Sequence, residues 1–307
     1  MGLATREAYG KALLQLGATN NNVVVLDADL SKSTKTGDFA AKYPDRFINV
    51  GIAEQNLMGI AAGLANYGKI PFASTFAVFA TGRAFEIIRN SICYPALNVK
   101  IAATHAGISV GEDGGSHQSI EDIALMNALP NMSVIVPADA RETEAVIKYA
   151  ATHEGPVYIR LGRLAAIDIF DESYTYEYGK GVQLTEGNDV AIVATGLMTA
   201  QAKLAAEALK ADGINARVIH IPTIKPIDRQ MIASAARETK FIVTCEEHSV
   251  IGGLGSVVCD VVAFEHPTKV IKIGINDVFG ESGTPAALLE KYGMTADNIV
   301  KVVKENV

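Results

Sequence analysis

Short apolar runs rich in β-branched residues alternate with longer Ala-rich runs from one end of this chain to the other. No other feature restricts the fold as much. The runs at 22–26 (NVVVL), 70–74, 99–103, 133–136, 157–160, 190–195, 216–221, 241–244 and 270–273 lack polar alternation, as expected of strands covered on both faces. Between them, 5–16, 53–66, 81–91, 142–151, 199–211 and 228–236 space their apolar residues at the helical period. Repeated strand–helix–strand units of about thirty residues imply right-handed crossovers and mainly parallel sheets. The chain is therefore α/β, with helices flanking its sheets.

The rhythm breaks at 164–188, where acidic residues and three alternating tyrosines (Tyr174, Tyr176, Tyr178) replace it, and it restarts at Asp189. A chain of 307 residues is long enough for two domains of ordinary size. We place them at 1–170 and 189–307, joined by a connection at 171–188. Asp plus Glu exceed Lys plus Arg, 34 against 27, and a net charge of −7 argues against nonspecific nucleic-acid binding. Cys93, Cys245 and Cys259 are odd in number and show no CxxC spacing, which fits a reducing compartment and not a thiolate metal site. No apolar run approaches the ~18 residues of a membrane span, and no signal peptide is recognisable, so a cytoplasmic location is expected.

Generic motifs carry little. Gly252-Gly253-Leu254-Gly255 lacks the full G-x-G-x-x-G pattern and reads as a turn and helix start, and Gly179-Lys180-Gly181 reads as a loop. The histidines show no metal-ligand spacing, and Gly-x-Ser-x-Gly is absent. Two stretches differ. In Asn49-Val50-Gly51-Ile52-Ala53-Glu54-Gln55-Asn56, Glu54 opens a helix of small residues (Gly59, Ala61, Ala62, Gly63, Ala65) that would let another backbone approach. An isolated first-turn glutamate is by default a dipole-stabilised carboxylate worth a few tenths of a kcal/mol. The second stretch, 104–118 (THAGISVGEDGGSHQ), sets glycines, two histidines and two carboxylates directly after a buried strand, where α/β folds place their sites.

With these two stretches the chain resembles the C-terminal half of transketolase, comprising its pyrimidine-binding and C-terminal domains. The motifs carrying the resemblance are Ala4-Thr5-Arg6, Ala28-Asp29-Leu30, Gly51-Ile52-Ala53-Glu54-Gln55, Thr75-Phe76-Ala77-Val78-Phe79 and the His105-to-His117 loop, followed in order by Pro130-Asn131-Met132 and Pro137-Ala138-Asp139. The resemblance implies a thiamine diphosphate enzyme that moves a two-carbon ketol unit between sugar phosphates. Glu54 matches the glutamate that hydrogen-bonds the cofactor's aminopyrimidine. Phe76 and Phe79 match aromatics around that ring, and Asp29 an aspartate near the cofactor. His117 and Asp113 match residues beside the reacting carbons and hydroxyls of the sugar. Arg6, Ser33, His105 and Arg163 match those binding its phosphate. The third aromatic of the family's T-F-x-x-F-x-x-Y falls on Gly82. A carboxylic acid donating to the pyrimidine nitrogen suits that ring's proton-accepting role, and a histidine suits proton transfer near neutral pH.

Thiamine enzymes hold Mg²⁺ and the diphosphate on a Gly-Asp-Gly segment, and none occurs in this chain. The resemblance thus implies half of a split enzyme. On that resemblance an N-terminal subunit with the motif would hold the Mg²⁺ and share the cofactor, and a second copy of this chain would complete a heterotetramer. A 2-oxo-acid dehydrogenase β subunit or a deoxyxylulose phosphate synthase shares the fold and the glutamate, but Gly-Glu-Asp-Gly-x-x-His-Gln and the four phosphate positions favour transketolase. A non-catalytic α/β scaffold is the alternative from another class.

Overall fold

A computed structural model describes residues 2–307 of the chain. Its apolar runs become strands β1 (Val23–Asp27), β2 (Phe47–Asn49), β3 (Ile70–Phe76), β4 (Lys100–Thr104), β5 (Ser133–Ile135) and β6 (Val157–Arg160) in the first half. The second half supplies β7 (Val182–Gln183), β8 (Val190–Ala194), β9 (Ala216–His220), β10 (Thr223–Lys225), β11 (Ile242–Ser249) and β12 (Val270–Ile275). They build a seven-stranded sheet in the order β10-β5-β6-β4-β3-β1-β2 and a five-stranded sheet in the order β12-β11-β8-β9-β7. β1, β4, β6, β8 and β9 are buried along their whole length, as unalternated apolar runs require.

Pairing is parallel except at two edges. β7 runs antiparallel to β9, and β10 runs antiparallel to β5. The second exception matters for the whole molecule, because β10 follows β9 in sequence yet completes the first sheet. Neither edge strand was legible in the apolar pattern, since each is only two or three residues long. The helix expected over 81–91 is instead two widened, π-type stretches, Phe79–Arg83 and Ile88–Cys93, around a single turn at Phe85–Ile87. Burial nonetheless recurs every fourth residue, at Ala80, Ala84, Ile88 and Ile92.

The alternating tyrosines fasten the connection to the first sheet and to the helix Ala140–Ala150 beside it. The Tyr174 hydroxyl donates to Glu142 at 2.5 Å, while Tyr176 and Tyr178 share hydrogen bonds with Thr223 and Ser133 at 2.8 and 2.6 Å. Glu142 also meets His220 at 2.7 Å, both fully buried, so one carboxylate ties helix Ala140–Ala150 to the connection and to β9. Register then aligns the carboxyl ends that matter. Asp27 lies opposite Asn49 and Ser74, Phe76 opposite Thr104, and Ala103 opposite Arg160. Loops leaving β1, β3, β4 and β6 therefore emerge on one edge, where an open α/β sheet binds its ligands.

Candidate active site

At that edge the aromatic side chains gather first. Phe76 ends β3 and lies nearly parallel to Phe79, with centroids 5.9 Å apart and planes 11° from one another. His105, the first residue after β4, stacks on Phe76 at 3.8 Å. His117, at the far end of the glycine loop, meets Phe79 and Phe76 edge-on at 5.5 and 6.3 Å. His105 has φ +58°, and Gly107, Gly111 and Gly114 between the histidines also have positive φ. The loop can therefore fold back and bring both imidazoles to one pair of phenyl rings.

His105 has a defined protonation. Its Nε2 faces Arg6 Nη1 at 3.2 Å, and a guanidinium only donates. Nε2 is thus the acceptor, and Nδ1–H donates to Thr104 Oγ1 at 2.8 Å. Burial, then the positive charges of Arg6 and Arg163, push this imidazole down to about 3, so it is neutral across the physiological range. Arg6 donates from the same Nη1 to the Ser33 carbonyl at 3.0 Å, and its buried Nε has no partner among the described residues. Ser33 thus meets Arg6 through its backbone. Arg163 donates to Val110 O and, at 3.1 Å, to Glu112, which fastens it to the loop.

Glu54 begins helix Glu54–Asn66 and is 3% exposed. Arg83 covers it, with Nη1 3.2 and 3.1 Å from the two carboxylate oxygens, and its guanidinium also lies 5.1 Å from the centre of the Phe79 ring. Glu54 and Arg83 line a shallow recess with Ile52, Ala53, Gln55 and Asn56. One unbroken run of contacts leads from Glu54 through Arg83, Phe79, Phe76 and His105 to Arg6. Asp29 and Asp113 stand outside it. Asp29 is exposed, with φ +65°, and pairs with Asn49, while Asp113 is exposed on the loop's crown. Gly82 is exposed and leaves open space where a third aromatic would stand. At the other glycine-rich segment, Gly252 turns the chain and the Glu246 carboxylate accepts the Leu254 and Gly255 N–H groups at 2.7 and 2.8 Å. That helix start is already capped, in agreement with the plain reading of its sequence.

Comparison with known proteins decides the family. Residues 1–167 match the family model "Transketolase, pyrimidine binding domain", and residues 179–299 match "Transketolase, C-terminal domain". The chain belongs to the transketolase family. A Methanocaldococcus jannaschii chain provisionally named transketolase C-terminal section is 52% identical over 98% of this chain and 95% of its own. Human transketolase is 38% identical over 98% of this chain but only 49% of its own length. A solved structure, "Split gene transketolase, inactive beta4 tetramer", superposes with a TM-score of 0.91 at 61% identity, covering 99% of this chain and 98% of that one. The chain is thus a transketolase C-terminal section.

Within this transketolase section, sequence reasoning missed Arg83, Glu112 and Thr104. Arg83 is the only cation between Lys69 and Arg89 and stands one residue after Gly82, which was its sole signal. Among the described residues no helix is long and apolar enough to cross a membrane.

Proposed function

We propose that this chain is the C-terminal subunit of a two-subunit transketolase. It would move a two-carbon ketol unit from a ketose phosphate to an aldose phosphate, as in the pentose phosphate pathway, with thiamine diphosphate bound between it and an N-terminal subunit. The observation carrying this reading is the run from Glu54 to Arg6, which sets a buried carboxylate, two nearly parallel phenyl rings, the His105 imidazole and a guanidinium donor along one edge, with His117 edge-on to the same rings. These residues fit the pyrimidine half of the cofactor and a phosphorylated substrate. When bound, the cofactor supplies the electron sink for carbon–carbon cleavage.

The protein's own part is positional and protonic. Glu54 would hold the pyrimidine ring nitrogen, which requires Arg83 to leave its two carboxylate oxygens, and Phe76 and Phe79 would flank that ring. His117 is half-buried, with Nδ1 bonded to Ser116 at 2.9 Å, and its Nε2 would move a proton at a sugar hydroxyl, while Asp113, exposed on the same loop, would meet the sugar's hydroxyls. Asp29, held by Asn49, would stand near the cofactor. Arg6, the backbone of Ser33, neutral His105 and Arg163 receive the phosphate, where a guanidinium's paired donors suit a dianion.

The absence of Gly-Asp-Gly from the sequence supports assigning Mg²⁺ and the diphosphate to a partner subunit. So does the half-length match to human transketolase. Two copies of each chain would form a cytoplasmic heterotetramer, and we divide this one at 1–170, 171–188 and 189–307. Reconstitution tests the reading. The purified chain alone should show no ketol transfer, and adding the Gly-Asp-Gly subunit, thiamine diphosphate and Mg²⁺ should restore it. In the complex, Glu54→Ala should lower turnover by at least about a hundredfold. Its melting temperature should fall by a few degrees at most, since a buried first-turn charge contributes up to about 2 kcal/mol and the half-exposed Arg83 is left to solvent. Full turnover by the lone chain would remove the split-subunit reading, and near-normal turnover of the Glu54 variant at saturating cofactor would remove that role.

A further inference from the structure

The glycine loop carrying His105 and His117 belongs to the first half of the chain, yet its shape is held from the second. Glu247, near the end of β11 and 5% exposed, reaches across and accepts the Ser109 N–H at Oε1, 2.7 Å away. Its carboxyl group lies where a Cβ on Gly107 would stand, and Gly107 has φ +82°, so loop and carboxylate fit only with glycine there. The Glu247 backbone is fixed in turn. Arg160 Nη2 donates to its carbonyl at 2.9 Å and to Ser119 O at 3.2 Å, while Arg160 itself is locked by fully buried Asp122 at 2.7 and 3.1 Å.

At the other end of the loop, Gln118 is 3% exposed and makes three bonds. Its amide nitrogen donates to Ile108 O and Gly111 O at 3.2 and 3.3 Å within the loop, and to Glu281 O at 2.9 Å in the segment after β12. That segment also crowds the crown. A Cβ on Gly114 would come within 2.5 Å of the Ser282 hydroxyl, and one on Gly115 within 2.8 Å of Gly280 O. Neither Glu247 nor Gln118 is part of the run of contacts from Glu54 to Arg6. Both hold backbone between the histidines.

We propose that Glu247 and Gln118 are positioning residues, through which the second half of the chain sets the distance and orientation of His117 relative to Phe76 and Phe79. Their catalytic consequence rests on the transketolase reading, and their mechanical role does not. Two measurements on the isolated chain, amide exchange at Ser109 and the His117 imidazole titration by NMR, therefore accompany turnover of the complex. Loss of one buried hydrogen bond corresponds to roughly tenfold, so Glu247→Ala should speed Ser109 exchange by at least about that factor and displace the His117 titration. Glu247→Gln keeps an acceptor oxygen and should stay within about threefold of the unaltered chain. In the complex, turnover should fall in the same order, alanine far below glutamine, with donor KM changing much less than kcat. Should the alanine variant not fold, Gln118→Leu carries the test through the His117 titration and the kcat-against-KM split. Unchanged exchange and titration in a folded Glu247→Ala chain would overturn the proposal. So would altered exchange with unchanged turnover. Exchange and titration decide the positioning even if the unaltered complex transfers no ketol.

Discussion

Arg6 meets His105 and the Ser33 carbonyl with a buried Nε left over, and an unsatisfied charged donor at a strand edge asks for an anion. Losing a charge-assisted bond to phosphate costs about 1.5–3 kcal/mol, so Arg6→Ala should lower kcat/KM for phosphorylated donors about 10–150-fold. Hydroxypyruvate, which has no phosphate, should lose far less, and equal losses would make Arg6 a structural residue. Arg163→Ala is expected to add a turnover defect for both donors, because Arg163 also grips Glu112 and Val110 O. His105 offers a second check. Its folded value, about 3, lies below the ordinary 6.5, so the unfolded chain takes up a proton as pH falls through 6.5 while the folded one does not. Stability is therefore lost between pH 6.5 and 3, and His105→Gln should flatten that loss in denaturant titrations. Imidazole ¹⁵N spectra should show the neutral Nδ1–H form at pH 5; a protonated ring there would contradict the Arg6 geometry. At this scale the sequence was legible where residue type and a family motif coincided, as at Glu54, Phe76 and His117. It was silent on Arg83, because a lone arginine outside any motif looks like a solvated charge until the fold lays it on Glu54.

Among elements, β4 shows what unalternated hydrophobicity hides. Its first residue, Lys100, is wholly buried, and Nζ donates at 2.7 Å to the His153 and Gly155 carbonyls in the turn before β6. Burial outweighs the attraction of Glu154 and pushes the ammonium down to about 7. Its unfolded value is near 10.4, so between pH 7 and 10 the unfolded chain binds the extra proton and stability rises with pH. The slope is at most about 1.4 kcal/mol per pH unit. Lys100→Met should remove that rise, as equilibrium unfolding at pH 7, 8.5 and 10 would show; an identical slope in both proteins would mean that the ammonium is not desolvated. Strands bounded by turn residues were readable, and β6, entered through Gly155-Pro156, matches its expected span of 157–160. β11 was readable only to Thr244. Its continuation through Glu246, Glu247 and His248 is fully charged or polar on paper, and only the buried partners Arg160, Ser109 and the helix start at Leu254 make a strand of it.

For the whole molecule, the mixed first sheet is the decisive feature. Without β10, the edge of β5 would expose unpaired backbone groups, a template for pairing with other chains. A fragment ending at residue 178 should therefore associate or aggregate. The same fragment supplied with 179–307 in trans should recover a monodisperse species by size-exclusion chromatography with light scattering. A monodisperse, fully folded 1–178 fragment would show that β10 contributes little. The α/β class and the two-sheet plan were readable from periodicity, but the exchange of β10 was not, since three residues carry no period and the strand owes its place to Ile135 and Val134 opposite it.

The return of β10 also constrains manufacture on the ribosome. Val157–Arg160 emerges long before Thr223–Lys225. At roughly 5–20 residues per second, the nascent sheet waits several seconds with one margin bare. The first half of this chain would therefore complete its sheet only with the second, and a chaperone would find its client in that interval.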